Sequence, residues 1–402
     1  MRARWAYNWV LWLSHHKKTF LAILSLASVL NLIGLTQVDF AKQQIGLMLL
    51  SLLLMSLMSV KLLDSFRTGL LMFGFSLYLI LMVLSGFGWM GVTPGTQSVL
   101  GWVVVMTVMM SHLVHYLSAV LREMARGTFQ YDAVAEALSL TAKPILLSSL
   151  TTALGFMVAA SINETYVQMA WIVGLGTALS LLVVVTWLPT ILLGWLLEFR
   201  VGHYEDRHGL VKLQALRDKY HWFDGLVKVL FAGMLGVSLI QLWRNPEVFH
   251  AVILMTGASF VLLWLAWQNL RVALVATVMA FISVLLISGV FYNLQSYYLM
   301  SALVLVVPMG IILDDVIHFF ERYQRAEQQF FSSRQDKTRY ALNSVGRAIW
   351  LTSQLLIVGL ITLLFSKDAL VQQASLMTIF SLLLLSFLIL VVFPVMSDRR
   401  AE

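Results

Sequence analysis

The chain has 402 residues, a formal net charge of +7 and a mean hydropathy of +0.85, with 60% of its residues hydrophobic and only 12% charged. That apolar share excludes a water-soluble globular domain, and the absence of cysteine excludes a disulfide framework, thiolate chemistry and a cysteine-ligated zinc site. An excess of basic residues on a soluble surface would raise nucleic acid as a partner. Here the basic residues fall between long apolar runs, where they report topology instead.

Taken in chain order, "RWAYNWVLWLSHHKK" mixes tryptophan with basic residues and predicts a short helix at headgroup level, ahead of a first span that is retained rather than cleaved. Apolar runs long enough to cross a hydrocarbon core of roughly 30 Å predict spans at 19–35, 44–60, 68–90, 99–120, 145–162 and 167–188. Six more are predicted at 227–243, 249–267, 272–291, 298–320, 348–365 and 374–392. Alternating ten-residue barrel strands are missing. The expected fold is therefore an all-α polytopic membrane protein of twelve transmembrane helices.

With the N-terminus placed in the cytoplasm, 24 of the 27 lysines and arginines fall on the inner side, and only Lys42, Arg244 and Lys367 fall outside. The positive-inside rule predicts such a bias when helix count and starting side are both right. Both termini are then cytoplasmic. The polar segment 198–224 divides the chain into a first six-helix repeat (1–197), an amphipathic cytoplasmic linker and a second repeat (225–402).

The two halves match one another. With Gly155 set on Gly359, Arg67 falls on Arg271 and Ser148–Ser149 on Thr352–Ser353, all at an offset of 204. "SHLVHYL" overlays "DDVIHFF" at an offset of 203, which pairs His115 with His318 and Ser111, His112 with Asp314, Asp315. An even number of spans per half makes the repeats parallel about an axis along the membrane normal. The fourth span of each half should then face its counterpart.

Asp314 lies eight residues before Arg322, about 12 Å along a helix at 1.5 Å per residue, and so at hydrocarbon depth. Ionisable residues there are costly, face the bundle interior and mark ion or substrate pathways. His318 is one turn from both acids, at i+4 and i+3, and reaches either. His112 and His115 on the opposite span add imidazoles that titrate near neutrality. Asp314, Asp315, His318, His115 and His112 are the candidate proton-relay residues.

Each of these features has a plainer reading beside it. The acids can be polar glue between helices, and His115 a structural histidine bonded to a backbone carbonyl. A metal site from His112, His115, His318 and an aspartate has suitable ligand types but no spacing that makes them converge, and no metal, cofactor or enzyme activity is expected. "SSLTT" and "LTS" read as hydroxyls in helix contacts, or as hydroxyls that assist an adjacent proton path, and Pro308 as a kink that frees a carbonyl near the acids. The mixed segments 121–142 and 321–347 are expected to lie as helices along the inner surface. "NET" at Asn163 matches a glycosylation sequon and carries little without a secretory context.

"GIILDDVIHFFERYQRA", followed by an amphipathic stretch and "VGRAIWLTSQLLIVGL", resembles the fourth-to-fifth span signature of the resistance-nodulation-division (RND) superfamily, specifically its MMPL-like hydrophobe-exporter branch. The first half repeats it as "SHLVHYLSAVLREMARG" and "AKPILLSSLTTALGF". The resemblance implies an exporter of the bacterial inner membrane that couples inward proton flow to release of lipidic or other hydrophobic molecules, with relay aspartates at Asp314 and Asp315. Membrane lipids and a hydrophobic substrate are the implied partners, a separate periplasmic protein or a homo-oligomer is left open, and nucleic acid is excluded.

Two departures qualify the resemblance. The first half has Ser111 and His112 where acids would stand, so the relay is lopsided and His112 with His115 stands in for the missing acid. The joints 36–43 and 244–248 are too short for the large extracytoplasmic domains of the superfamily. The rival reading is a non-transporting membrane subunit that resembles a sterol-sensing domain and binds lipid or a partner.

Overall fold

The computed structural model describes residues 4–37, 42–95, 97–195, 235–236, 238–240, 242–294, 301–328 and 333–393. Among them there is no strand, and eleven helices are long and apolar enough to cross a membrane. The predicted linker at 198–224 lies outside the described residues, as does most of the predicted span at 227–243.

In chain order the helices are α1 (Arg4–His15), α2 (Lys17–Leu35), α3 (Lys42–Leu63), α4 (Phe66–Trp89), α5 (Ser98–Ala125), α6 (Gln130–Ile162), α7 (Val167–Leu182) and α8 (Leu188–Leu192). There follow α9 (Pro246–Trp267), α10 (Leu270–Leu294), α11 (Ala302–Gln328), α12 (Arg334–Ala341), α13 (Arg347–Ile361) and α14 (Ala369–Phe387). Burial sorts them into layers. The most apolar stretch of α2 is 6% buried, that of α5 94% and that of α11 100%, so α5 and α11 form the centre and α2 the lipid-facing rim.

The repeat is visible at atomic detail in the tight joints. Asp64 and Gln268 are the described non-glycine residues with left-handed backbone, at φ 55° and 53°, and they are 204 residues apart. Each ends a helix in the manner of a left-handed C-cap and hands over to a capping side chain. Ser65 Oγ accepts from the Thr68 amide at 3.2 Å, and Asn269 Oδ1 accepts from the Val272 amide at 3.2 Å. Both pairs stand at the same offset of 204, so the same turn chemistry closes the second-to-third span joint in each half.

Packing exchanges the halves in the same way. α6 packs along α11 and against α9, while its counterpart α13 packs along α5 and against α3. The seams rest on small residues, which allow close approach where no water-driven force pulls helices together. A Cβ on Gly310 would lie 2.9 Å from the Thr151 carbonyl oxygen, and one on Gly155 would lie 3.2 Å from that of Val306. Thr152 Oγ1 donates to the Gly310 carbonyl at 3.3 Å, and Ser51 Oγ to that of Gly359 at 3.3 Å.

Proline leaves its mark at the end of the first half's sixth span. A π-helical turn at Val183–Trp187 precedes Pro189, and another at Leu388–Val392 follows α14. Pro189 has no N–H to give the Val185 carbonyl four residues back. The Trp9 indole Nε1 fills that acceptor at 2.9 Å. The aromatic-basic N-terminal helix is thereby bolted to the bundle, with Ala6, Val10 and Leu13 buried and Trp5 and Trp12 on its exposed side.

One expectation is corrected. Segment 121–142 and the described parts of 321–347 do not lie as separate surface helices. α5 and α11 run on to Ala125 and Gln328, and α6 is continuous from Gln130 through Pro144. At 33 residues α6 is about 50 Å long, beyond the roughly 30 Å of a hydrocarbon core. The mixed segments are thus coaxial extensions of the spans, and their apolar residues, Ala133, Val134, Ala137 and Leu138 among them, are buried against protein. Asn163 also has a structural use, since its Oδ1 accepts from the Thr165 amide at 3.0 Å and starts a turn.

Candidate functional site

The acidic doublet lies on α11 where that helix faces α5. Asp314, Asp315 and His318 are 5%, 1% and 1% exposed, and Ser111, His112 and His115 are equally buried. The expected facing of the two fourth spans is made by side chains. The rings of His115 and His318 stack at 3.6 Å between centroids and 3° between planes. One helical step away, Ser111 Oγ donates to Asp314 Oδ2 across the same seam.

The two carboxylates are held differently. Asp315 has a donor for each oxygen, from Thr352 Oγ1 at 2.9 Å and Ser353 Oγ at 3.0 Å, both on α13. Ser353 in turn contacts Ser386 Oγ on α14 at 2.7 Å. Asp314 has Ser111 on one oxygen, while its Oδ1 has no hydrogen-bond partner among the described residues and stands 3.6 Å from His318 Nε2. His115 Nε2 is 3.9 Å from Asp315 Oδ1. These last two spacings exceed hydrogen-bond length, so the imidazoles stand next to the acids without being locked to them.

His112 occupies the repeat position of Asp315 but turns the other way. Its Nδ1 contacts Ser180 Oγ on α7 at 2.8 Å, and its Nε2 has no hydrogen-bond partner among the described residues. Ser148 and Ser149, the counterparts of Thr352 and Ser353, have unpartnered hydroxyls as well. The first half therefore carries the same polar scaffold without a carboxylate of its own, and its Ser148 borders Asp314 of the second half. Unpartnered buried polar atoms are few in folded proteins, and here both His115 nitrogens, His318 Nε2 and Asp314 Oδ1 gather in one layer.

His115, Asp314 and His318 each offer a ligand atom, all within 4.8 Å of one another. Their arrangement does not converge on one ion. An imidazole binds a metal in its own ring plane, and two parallel planes stacked face to face have no shared point at the roughly 2.0–2.1 Å of a zinc–nitrogen bond. One ring would have to rotate out of the stack first.

Several contributing residues escape a sequence reading. The hydroxyls of "LTS", read as helix contacts or as aids to a proton path without a named partner, hold Asp315, and Ser111, read as a missing acid, is the donor to Asp314. Toward the basic end, where Arg122, Arg126, Arg322 and Arg325 lie, Glu321 is buried and joins three spans. It accepts from Trp267 Nε1 at 3.0 Å and pairs with Lys143 Nζ at 3.2 Å and with Arg325 Nε at 3.7 Å. Only the pairing of Glu321 with Arg325 at i+4 was legible as spacing.

Solved structures share this architecture. SecDF from Thermus thermophilus, described as a translocon-associated membrane protein, superposes with a TM-score of 0.69 at 14% identity over 89% of this chain and 62% of that one. SecDF in a super-membrane-facing form gives 0.64 at 12% identity, again over 89% and 62%. This is the RND-type transmembrane fold. The chain spans about three fifths of the length of those SecDF chains. No family model matches it, and neither does any curated protein.

Proposed function

We propose that the chain is a proton-motive-force-coupled transporter module of the bacterial inner membrane, with its basic end in the cytoplasm, and that it drives export of a hydrophobic or lipidic substrate as an MMPL-like member of the superfamily. The carrying observation is the buried carboxylate pair set against a stacked imidazole pair where the two halves meet.

Asp314, with one oxygen free, is the group that takes up and releases the proton. Asp315, fixed by Thr352 and Ser353, holds the negative charge that makes uptake favourable. His318 and His115 pass the proton along the layer, and water bridging the unpartnered atoms completes the path. Coupling follows because the cluster is built from both halves: neutralising Asp314 weakens the bond from Ser111 and frees α5 to shift against α11. An RND-type fold supports this reading, as does the basic bias of 24 residues in 27.

The test is dissipation of an imposed pH gradient in proteoliposomes. Wild type is expected to dissipate it, and the Asp314→Asn, Asp315→Asn double variant to hold it. Equal rates in the two would refute proton carriage. A second reading, a membrane subunit that works through a partner protein, is favoured by the short joints at 36–43 and 244–248, and predicts a second polypeptide that co-purifies with the chain.

A further inference from the structure

At the basic end lies a cavity of about 370 Å³ whose wall includes Arg322, one turn along α11 from His318. At ~30 Å³ per water it has room for on the order of ten molecules. Arg122, Glu123 and Arg126 from the end of α5, Asp132 and Glu136 from α6, and Arg322 from α11 supply its charges. Its rim holds exposed residues, Arg126 and Asn343, and its deepest charge is Arg322, which is 3% exposed.

Arg322 and Glu136 are the unusual members. Glu123 is engaged with Arg126 at 3.0 Å and Arg122 at 3.5 Å, and Arg122 also donates to Ser344. Among the described residues, Arg322 Nη1 and Glu136 Oε2 have no hydrogen-bond partner although both atoms are buried. Such groups are costly unless water completes them. An anionic ligand fits poorly, because three acids face the three arginines and leave no positive field. Arg322 is one turn beyond His318, about 6 Å along the helix, a separation at which a charge acts strongly in a low-dielectric interior.

We propose that this cavity is a water-filled vestibule joining the imidazole pair to the solution at the basic end, and that Arg322 is the electrostatic plug between them. A fixed guanidinium charge in a low-dielectric channel repels an excess proton strongly, so water alone cannot leak protons past it. A proton leaves the imidazoles when Arg322 swings toward Glu136 and its charge is offset. The plug therefore ties proton release to a movement of α11 against α6. The vestibule stands on the cavity alone; the plug also rests on the proton-coupled reading above.

The chain has no cysteine, so single cysteines report access directly. Glu136→Cys in the full chain, reconstituted in vesicles, is expected to react with a membrane-impermeant cationic methanethiosulfonate applied at the basic end and not from the other side, as Asn343→Cys does at the rim. Reaction of Asn343→Cys with Glu136→Cys inert overturns the vestibule. Arg322→Gln is expected to speed pH-gradient dissipation at least tenfold, Arg322→Lys to stay within about twofold of wild type, and Asp314→Asn added to Arg322→Gln to abolish the leak. If Arg322→Gln does not fold, Glu136→Gln judges the plug, with dissipation expected to slow severalfold.

Wild-type rates in Arg322→Gln, or in Glu136→Gln where that variant is the judge, overturn the plug. A leak that survives Asp314→Asn does the same, because it bypasses the cluster. Failure of the aspartate double variant to slow wild type would instead sink the proton-coupled reading and leave the labelling result to decide the vestibule.

Discussion

Gly310→Ala tests the seam that sets the site. Gly310 is one turn ahead of Asp314 on α11, and an added Cβ would meet the Thr151 carbonyl oxygen at 2.9 Å and the α-carbons of Gly155 and Thr152 at 3.4 Å. All three are backbone atoms of α6, so no side chain can turn aside and the two helices must separate. Overpacking of this kind costs about 1–3 kcal/mol. The Thr152 bond to the Gly310 carbonyl, already 3.3 Å, is lost with it, for a further ~0.5–1.5 kcal/mol. A total of about 1.5–4.5 kcal/mol follows. Gly359→Ala meets Met55 Sδ at 2.7 Å and Thr107 Cγ2 at 2.9 Å, both side-chain atoms that can yield, and should cost less. Gly46, Gly74 and Gly257 have nothing within 4 Å of a Cβ, so alanine there should be neutral or stabilise by up to ~1 kcal/mol. Denaturant unfolding in detergent, run on all five variants, gives the order. Gly310→Ala no less stable than Gly257→Ala would refute the claim that backbone contact sets the α6–α11 spacing.

Removing the donors to Asp315 with Thr352→Val and Ser353→Ala strips two hydrogen bonds, each worth about 1.5–3 kcal/mol to a charged acceptor, and should slow gradient dissipation at least tenfold; unchanged flux would mean the hydroxyls are only helix contacts. His115→Phe keeps a ring to stack on His318 but carries no proton. It should unfold like wild type and lose flux, and retained flux would exclude the imidazole pair from the path. Glu321→Leu leaves the Trp267 N–H without its acceptor, at a cost of about 1–3 kcal/mol. Lys143→Met, whose side chain is 44% exposed, should cost under ~1 kcal/mol because solvent screens the pair. The reverse ranking in unfolding measurements would contradict the burial argument.

Span positions and the internal repeat are written along the chain because each depends on local facts: twenty apolar residues in a row, a basic residue at a joint, a proline at an end. The offset of 204 read from Gly155 and Gly359 reappears in Asp64 and Gln268, whose backbone conformation no composition could show. Asp314, Asp315, His115 and His318 were likewise legible as candidates, since acids and imidazoles inside apolar runs are conspicuous and helical spacing places one beside another.

What the chain alone leaves open is every relation across helices. The split between a doubly held Asp315 and a half-free Asp314 depends on Thr352, Ser353 and Ser111 arriving from α13 and α5. The turn of His112 toward Ser180 instead of the stack depends on α7. The inner segments look amphipathic in sequence, and a lipid surface or a protein neighbour would cover their apolar residues equally well; packing against α1 and α11 chose the neighbour. Periodicity fixes which face of a helix is polar, but the partner of that face lies tens or hundreds of residues away, and only the packing of α5 and α13 against α11 brings Ser111, Thr352 and Ser353 within a hydrogen bond of the acids.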